Sequence, residues 1–190
     1  MGERYLYIVA GPNGAGKTTA SFTLLPEILD CKEFVNADEI ARGLSPFQPE
    51  SVSVQAARLM LTRIGELMEA GVNFAFETTL ATKSYKGVIS KAKSLGYKII
   101  LIFFWLESDE LAKQRVLIRV SEGGHNIPNE IITRRYNRGV ANLKNIYFDI
   151  CDEVYVFDNS VSPGAPVIEK VNGSINIFNE IIFNKINSMK

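Results

Sequence analysis

The chain has little of what disulfide-stapled, zinc-bound or membrane-spanning folds are built from. Its 190 residues include only two cysteines, Cys31 and Cys151. Neither forms a Cys-x-x-Cys pair, which argues against a disulfide framework or a zinc site and fits a reducing compartment. His125 is the one histidine. Alone in a Gly-rich turn, it reads as a structural hydrogen-bonder before it reads as a base. No charge of either sign is in excess: 21 Lys+Arg balance 21 Asp+Glu. That argues against a broad basic surface for nucleic acid, though not against a local basic site. The longest strongly apolar run, Ile99 to Leu106, falls far short of the about 20 residues of a membrane span, so no membrane partner is expected. Met1-Gly2-Glu3-Arg4 leads directly into the first apolar run without a signal-peptide core. A soluble, cytoplasmic protein is the expectation. There is no internal repeat and no low-complexity tract.

What is present alternates. Five short apolar runs, Tyr5–Ala10, Glu33–Asn36, Asn73–Glu77, Tyr97–Leu106 and Glu153–Phe157, read as parallel strands buried on both faces, because they are continuous rather than alternating. Helical spacing separates them. Thr18 to Leu29 places Phe22, Leu25 and Leu29 on one face. Val52, Ala56, Leu59, Ile64 and Leu67 mark a second helix ending near Gly71, and Val88, Ala92 and Leu95 a third closed by Gly96. Leu111, Val116 and Val120 follow an N-cap at Ser108, with Asp109 and Glu110 in the first turn. Pro128 fits the start of another helix, through Ile132, Tyr136, Val140, Leu143 and Tyr147. The alternation predicts an α/β doubly wound parallel sheet of about five strands with helices on both faces. After it, Val167–Val171, Asn172-Gly173 and Ser174–Phe178 read as a type I′ hairpin, with a last helix beyond. The expected organisation is a single domain over 1–190, with the hairpin and helix at about 166–190.

In such a sheet ligands lie beyond the C-terminal strand ends. The first run is followed by Gly11-Pro12-Asn13-Gly14-Ala15-Gly16-Lys17-Thr18, which fits G-x-x-x-x-G-K-[ST], the loop whose amides cradle nucleotide phosphates. Strand, loop and helix is the context that motif requires. It predicts ATP on residues 11–19, including Thr19, with Lys17 at the β/γ oxygens and the Thr18 hydroxyl on Mg²⁺. Asp38 follows the second run, which is expected to flank the loop strand. There it is suited to accept a substrate hydroxyl's proton; the other reading is a first-turn carboxylate. Glu77 ends the third run, suited to Mg²⁺ through water or to a substrate hydroxyl; otherwise it caps. Thr78 and Thr79 are substrate-binding candidates beside it. Arg115, Arg119, Arg134, Arg135 and Arg138 flank a Gly123-Gly124 turn. Two helices joined there, at about 107–148, read as a mobile lid whose cations meet the transferring phosphoryl group. Most of the five belong to a solvated face on this reading. Asn159, after the fifth run, is poised either to read an adenine or to start a turn.

No second strand ends in Asp-Glu and no transporter signature segment is present. Asn184-Lys185-Ile186-Asn187 lacks the Asp of a guanine-reading motif. Small P-loop kinases remain. The residues 11–19, Asn36-Ala37-Asp38, Phe76-Glu77-Thr78-Thr79-Leu80, Arg115-Val116, Arg119-Val120, Gly123-Gly124-His125 with Pro128, Arg134-Arg135-Tyr136 and Asp158-Asn159-Ser160 together resemble the zeta-toxin-like P-loop kinases. The resemblance implies ATP-dependent phosphorylation of a hydroxyl, in known members that of UDP-N-acetylglucosamine. It implies that Lys17 and Thr18 serve the phosphates and metal, that Asp38 is the general base, and that Arg119 and Arg135 (or Arg134) are the lid arginines. An antitoxin-like protein partner is part of the same resemblance. The chain is shorter than the toxins and carries Glu77-Thr78-Thr79-Leu80 where they have a glycine-containing sugar-nucleotide segment, so the acceptor stays open. The expectation is ATP-dependent phosphotransfer to a small-molecule hydroxyl. A nucleic-acid 5′-hydroxyl kinase and an ATP-binding regulatory module are the alternatives.

Overall fold

A computed structural model describes residues 3–124 and 126–189; the expectation for His125 lies outside the described residues. The five apolar runs form β1 (Arg4–Ala10), β2 (Glu33–Val35), β3 (Phe74–Thr78), β4 (Tyr97–Trp105) and β5 (Glu153–Asp158). They pair in parallel in the order β2-β3-β1-β4-β5. Every residue of β4 except Lys98 is buried. Successive strand side chains point to opposite faces, so both faces of the sheet must be covered. The cover is helical: α1 (Lys17–Thr23), α2 (Ala37–Leu44), α3 (Ser53–Ala70), α4 (Tyr85–Ser94), α5 (Asp109–Ser121), α6 (Asn129–Asn142), the short α7 (Phe148–Ile150) and α8 (Glu180–Ser188). Among the described residues no helix is long and apolar enough to cross a membrane.

The expected hairpin is β6 (Ala165–Val171) and β7 (Ser174–Ile177), added antiparallel to β5. Asn172 and Gly173 take φ 50° and 79°, the positive pair a type I′ turn needs. Ser108 caps α5 as expected, its hydroxyl accepting from Leu111 N–H at 3.1 Å.

Strand order departs from expectation. β2 does not flank the loop strand; β3 does, with Val9 opposite Glu77 and Ala10 opposite Thr78. Phe74, Ala75 and Phe76 of β3 are fully buried, whereas Glu33 and Phe34 of the three-residue β2 are half-buried. The strand that is apolar on both faces takes the interior place, and the short polar one takes the edge.

Two helices are also interrupted. The helix expected over Thr18 to Leu29 stops at Thr23, and Leu24–Ile28 forms a π turn closed by Leu29 N–H on Leu24 O at 3.1 Å. Pro26 explains it, because proline lacks an N–H and its ring crowds the carbonyl four residues back. Leu25 is buried, but Phe22 is 66% exposed, resting edge-on against Phe34. Likewise the pattern running to Tyr147 is α6, then a π turn at Leu143–Tyr147, then α7. Its apolar set, Ile132, Tyr136, Val140, Leu143 and Tyr147, is buried as the spacing predicts. Along α3, Leu59 points outward while Ala56, Met60, Ile64 and Leu67 pack inward.

Candidate active site

The chain leaves β1 at Ala10 and turns through residues 11–16 into α1, whose first residue is Lys17. Gly14 has φ 77°, and a Cβ there would stand 2.9 Å from Ala112 O and 3.0 Å from Arg115 Cβ. The loop therefore lies directly against α5, and only glycine fits. Lys17 is 6% exposed, its ammonium donating to Pro12 O at 2.9 Å and sitting 3.6 Å from Glu77 Oε1. Thr18 Oγ1 donates to Glu77 Oε2 at 2.7 Å. Because β3 borders β1, the end of β3 delivers Glu77 to the mouth of the loop. A carboxylate this buried is stable only when its oxygens are satisfied, and a third donor completes the set. Asn36 Nδ2 reaches Glu77 Oε2 at 2.9 Å.

Asn36 is the residue that sequence reasoning passed over as chemistry. Its other amide atom, Oδ1, accepts from the N–H groups of Asp38 at 2.8 Å and Glu39 at 3.4 Å, capping α2. One side chain thus ties the carboxylate beside the loop to the backbone of Asp38. An Asn at a helix start, two residues ahead of Asp-Glu, was the available signal.

Two clefts meet here. One, of about 290 Å³, is lined by the loop, Thr18, Thr19, Arg115, Ile118, Arg119 and Glu122. The other, of about 340 Å³, is lined by Thr78, Thr79, Thr82, Tyr85, Arg134, Arg135 and Arg138. Asn13, Lys17, Asp38 and Glu77 line both. A third chamber of about 420 Å³, walled by Ala41, Pro49, Ile127 and Ile131, opens from the second and again includes Asp38. Asp38 lies where the three converge. Asn13 is 4% exposed, and its Oδ1 has no hydrogen-bond partner among the described residues. A buried amide oxygen left so is suited to a ligand's donor.

The five arginines divide. Arg115 donates to Asn159 O and Ser160 O, both at 2.8 Å. It pins the segment after β5 to α5. Asn159 Nδ2 in turn donates to Ala15 O at 2.6 Å, so this side chain braces the phosphate loop. Arg119 stands in the loop-side cleft; Arg134, Arg135 and Arg138, on one side of α6, stand in the other. Helices α5 and α6 are joined by Asp109, which accepts from Thr133 and pairs with Lys113 at 2.8 Å. Burial alone would raise the Asp109 carboxyl, but the Lys113 and Thr133 donors outweigh it and hold it down at about 2.

The phosphate loop after the central strand, the carboxylate ending the neighbouring strand and the arginine-bearing helix pair define a P-loop kinase-type α/β fold. The Zeta toxin family model matches residues 2–162, and the chain belongs to the Zeta toxin family. It is 29% identical to an uncharacterized protein of Haemophilus influenzae over 66% of this chain and 88% of that protein. Its fold is similar to a crystal structure of AvrRxo1-ORF1:AvrRxo1-ORF2 with ATP, at TM-score 0.79 and 18% identity over 99% of this chain. This chain spans 64% of that relative's length. It is also similar to a chain of the PezAT chromosomal toxin–antitoxin system of Streptococcus pneumoniae, at TM-score 0.68 and 19% identity, covering 89% of this chain and 72% of that one.

Proposed function

We propose that the protein is an ATP-dependent phosphotransferase that moves the γ-phosphate to a hydroxyl of a small-molecule acceptor. The observation that carries this is the position of Asp38 at the junction of the loop-side and arginine-lined clefts. A nucleotide on the loop side and an acceptor on the other would meet beside that carboxylate. Family membership, and the ATP in the AvrRxo1 complex, support a nucleotide on the loop.

The mechanism follows from the residues. The loop amides and the Lys17 ammonium hold the β- and γ-phosphates. Thr18 and Glu77 offer a hydroxyl and a carboxylate 2.7 Å apart, hard oxygen donors suited to Mg²⁺ with water and phosphate completing its shell. Bound there, Mg²⁺ would neutralise charge on the β/γ oxygens. Asp38 accepts the acceptor hydroxyl's proton as its oxygen bonds to the γ-phosphorus. The bond to the bridging oxygen breaks, and ADP leaves. Arg119 from one side and Arg135 from the other stabilise the charge spread over the transferring group. Thr78 and Asn13 orient the acceptor.

On the acceptor side, Arg134, Arg135 and Arg138 form no ion pair with a described carboxylate. Three cations in one cleft favour an acceptor that itself carries phosphate, as UDP-N-acetylglucosamine does. The likeness to a chain of the PezAT toxin–antitoxin system supports an antitoxin-like partner for this chain too.

The test is incubation with γ-labelled ATP and a panel of sugar nucleotides, nucleosides, small alcohols and 5′-hydroxyl oligonucleotides. Label on a small-molecule hydroxyl, lost in Lys17→Ala, is the expected result. Label confined to oligonucleotides would replace the reading with a nucleic-acid kinase. ATP binding with no label transferred would leave a regulatory module.

A further inference from the structure

The wall of the arginine-lined cleft that follows β3 is held in an unusual shape. Leu80 is fully buried and has φ 54°, a left-handed backbone that residues other than glycine adopt sparingly. Such a conformation persists only where the surroundings enforce it. Here three residues of the wall are each met by a different residue of one helical segment. At Gly139 of α6 an added Cβ would stand 2.4 Å from Thr79 O. Asn142 Nδ2 donates to Leu80 O at 2.7 Å. Tyr147 OH donates to Thr82 O at 2.7 Å. Leu80 N–H is satisfied within the wall, by Thr78 Oγ1 at 3.0 Å.

The π turn explains how one helix serves all three. In an uninterrupted α-helix, Tyr147 would lie about 140° around the axis from Asn142. The wider turn at Leu143–Tyr147, closed by Phe148 N–H on Leu143 O, brings it back toward the same side. Tyr147 is fully buried, and burial pushes its hydroxyl up to about 12, so it stays a donor. The helix is anchored in the other direction too, by Tyr136 OH on Leu106 O at 2.7 Å.

We infer that Gly139, Asn142 and Tyr147 are positioning residues that template the Thr79–Thr82 wall, so that α6 with its arginines and this wall form one preformed unit. The two helices then do not act together as a swinging lid. Arg134, Arg135 and Arg138 keep a constant relation to Thr79 and Thr82, and the nucleotide side of the site answers to α5, whose Arg115 and Arg119 line the loop-side cleft. The consequence for acceptor choice rests on the proposed function, but the templating itself does not.

The test reads the wall directly by amide exchange and NMR. In the wild type, Leu80 should show the strong intraresidue amide–α-proton contact of a positive φ and a slowly exchanging amide. Tyr147→Phe and Asn142→Leu should each speed exchange at Leu80 and Ala81 by about tenfold, the effect of one lost hydrogen bond, and weaken that contact. Exchange in β1 and β4 should not change. Adding Mg·ADP to the wild type should slow exchange across 115–122 but leave 78–82 and 132–142 unaltered. Unchanged exchange at Leu80 in both variants would overturn the inference, as would uniform loosening of the whole domain, or equal slowing of both regions by Mg·ADP. Failure of Mg·ADP to bind would count against the proposed function alone, because the variant arm does not need it.

Discussion

The Thr18 hydroxyl donates to Glu77 Oε2 across 2.7 Å, joining two residues 59 positions apart in the chain. The contact exists because β3, not β2, lies beside the loop strand. It places a carboxylate within 3.6 Å of the Lys17 ammonium as well. Glu77→Gln keeps an acceptor for Thr18 but removes the charge. The Mg²⁺ concentration for half-maximal transfer should rise about tenfold or more, the scale for residues that support a metal without always touching it. A titration of activity against Mg²⁺ at fixed ATP checks this. An unchanged midpoint would make Glu77 a structural acceptor.

Arg119 and Arg135 line different clefts, and Asp38 lines both. Charge that meets the phosphoryl group as it transfers contributes more to the transition state than to ATP binding. Arg119→Ala and Arg135→Ala should therefore lower kcat by at least about tenfold, with ATP affinity within about threefold. Steady-state kinetics with nucleotide binding measured separately distinguishes the two. Wild-type turnover in both at saturating substrate would assign these arginines to a solvated face.

Asn36 gives a prediction with a defined sign in pH. Asn36→Asp keeps the oxygen that caps α2 but sets a second carboxylate at the position of Nδ2, now 2.9 Å from Glu77 Oε2. Two carboxylates so close share a proton, which raises a folded-state pKa above its unfolded value. A raised carboxyl favours the folded state at low pH and penalises it above the folded pKa. Relative to the wild type, the variant should gain Tm as the pH falls from 8 to 5. Thermal melts across that range check it; a constant difference would place the introduced carboxylate in solvent.

Much of this was legible along the chain. The phosphate loop announces itself because its chemistry is local: glycines, Lys17 and Thr18 must be contiguous to surround one anion. The hairpin is local too, since Asn172-Gly173 needs no partner to prefer its turn. The neighbour of β1 was not legible. Which strand becomes the edge depends on the relative burial of β2 and β3, and short-range patterns do not compare strands. The π turn in the first helix had a visible cause in Pro26, whereas that at Leu143–Tyr147 has none in its own residues. Its last residue is instead bound to a distant partner, Tyr147 OH donating to Thr82 O. The division of the arginines was hidden for the same reason: Arg115 is spoken for by Asn159 O and Ser160 O, 44 and 45 positions away.

The central claim is that Asp38 is the proton acceptor for phosphoryl transfer, and Asp38→Asn tests it most directly. The amide keeps the size and shape of the side chain but gives up the basic oxygen. Transfer from γ-labelled ATP, measured beside calorimetric binding of Mg·ATP, should fall by roughly 10²-fold or more, the usual scale for general acid–base work, while nucleotide affinity stays within a few-fold. An unaltered transfer rate, or loss of nucleotide binding without a specific loss of turnover, would contradict the account.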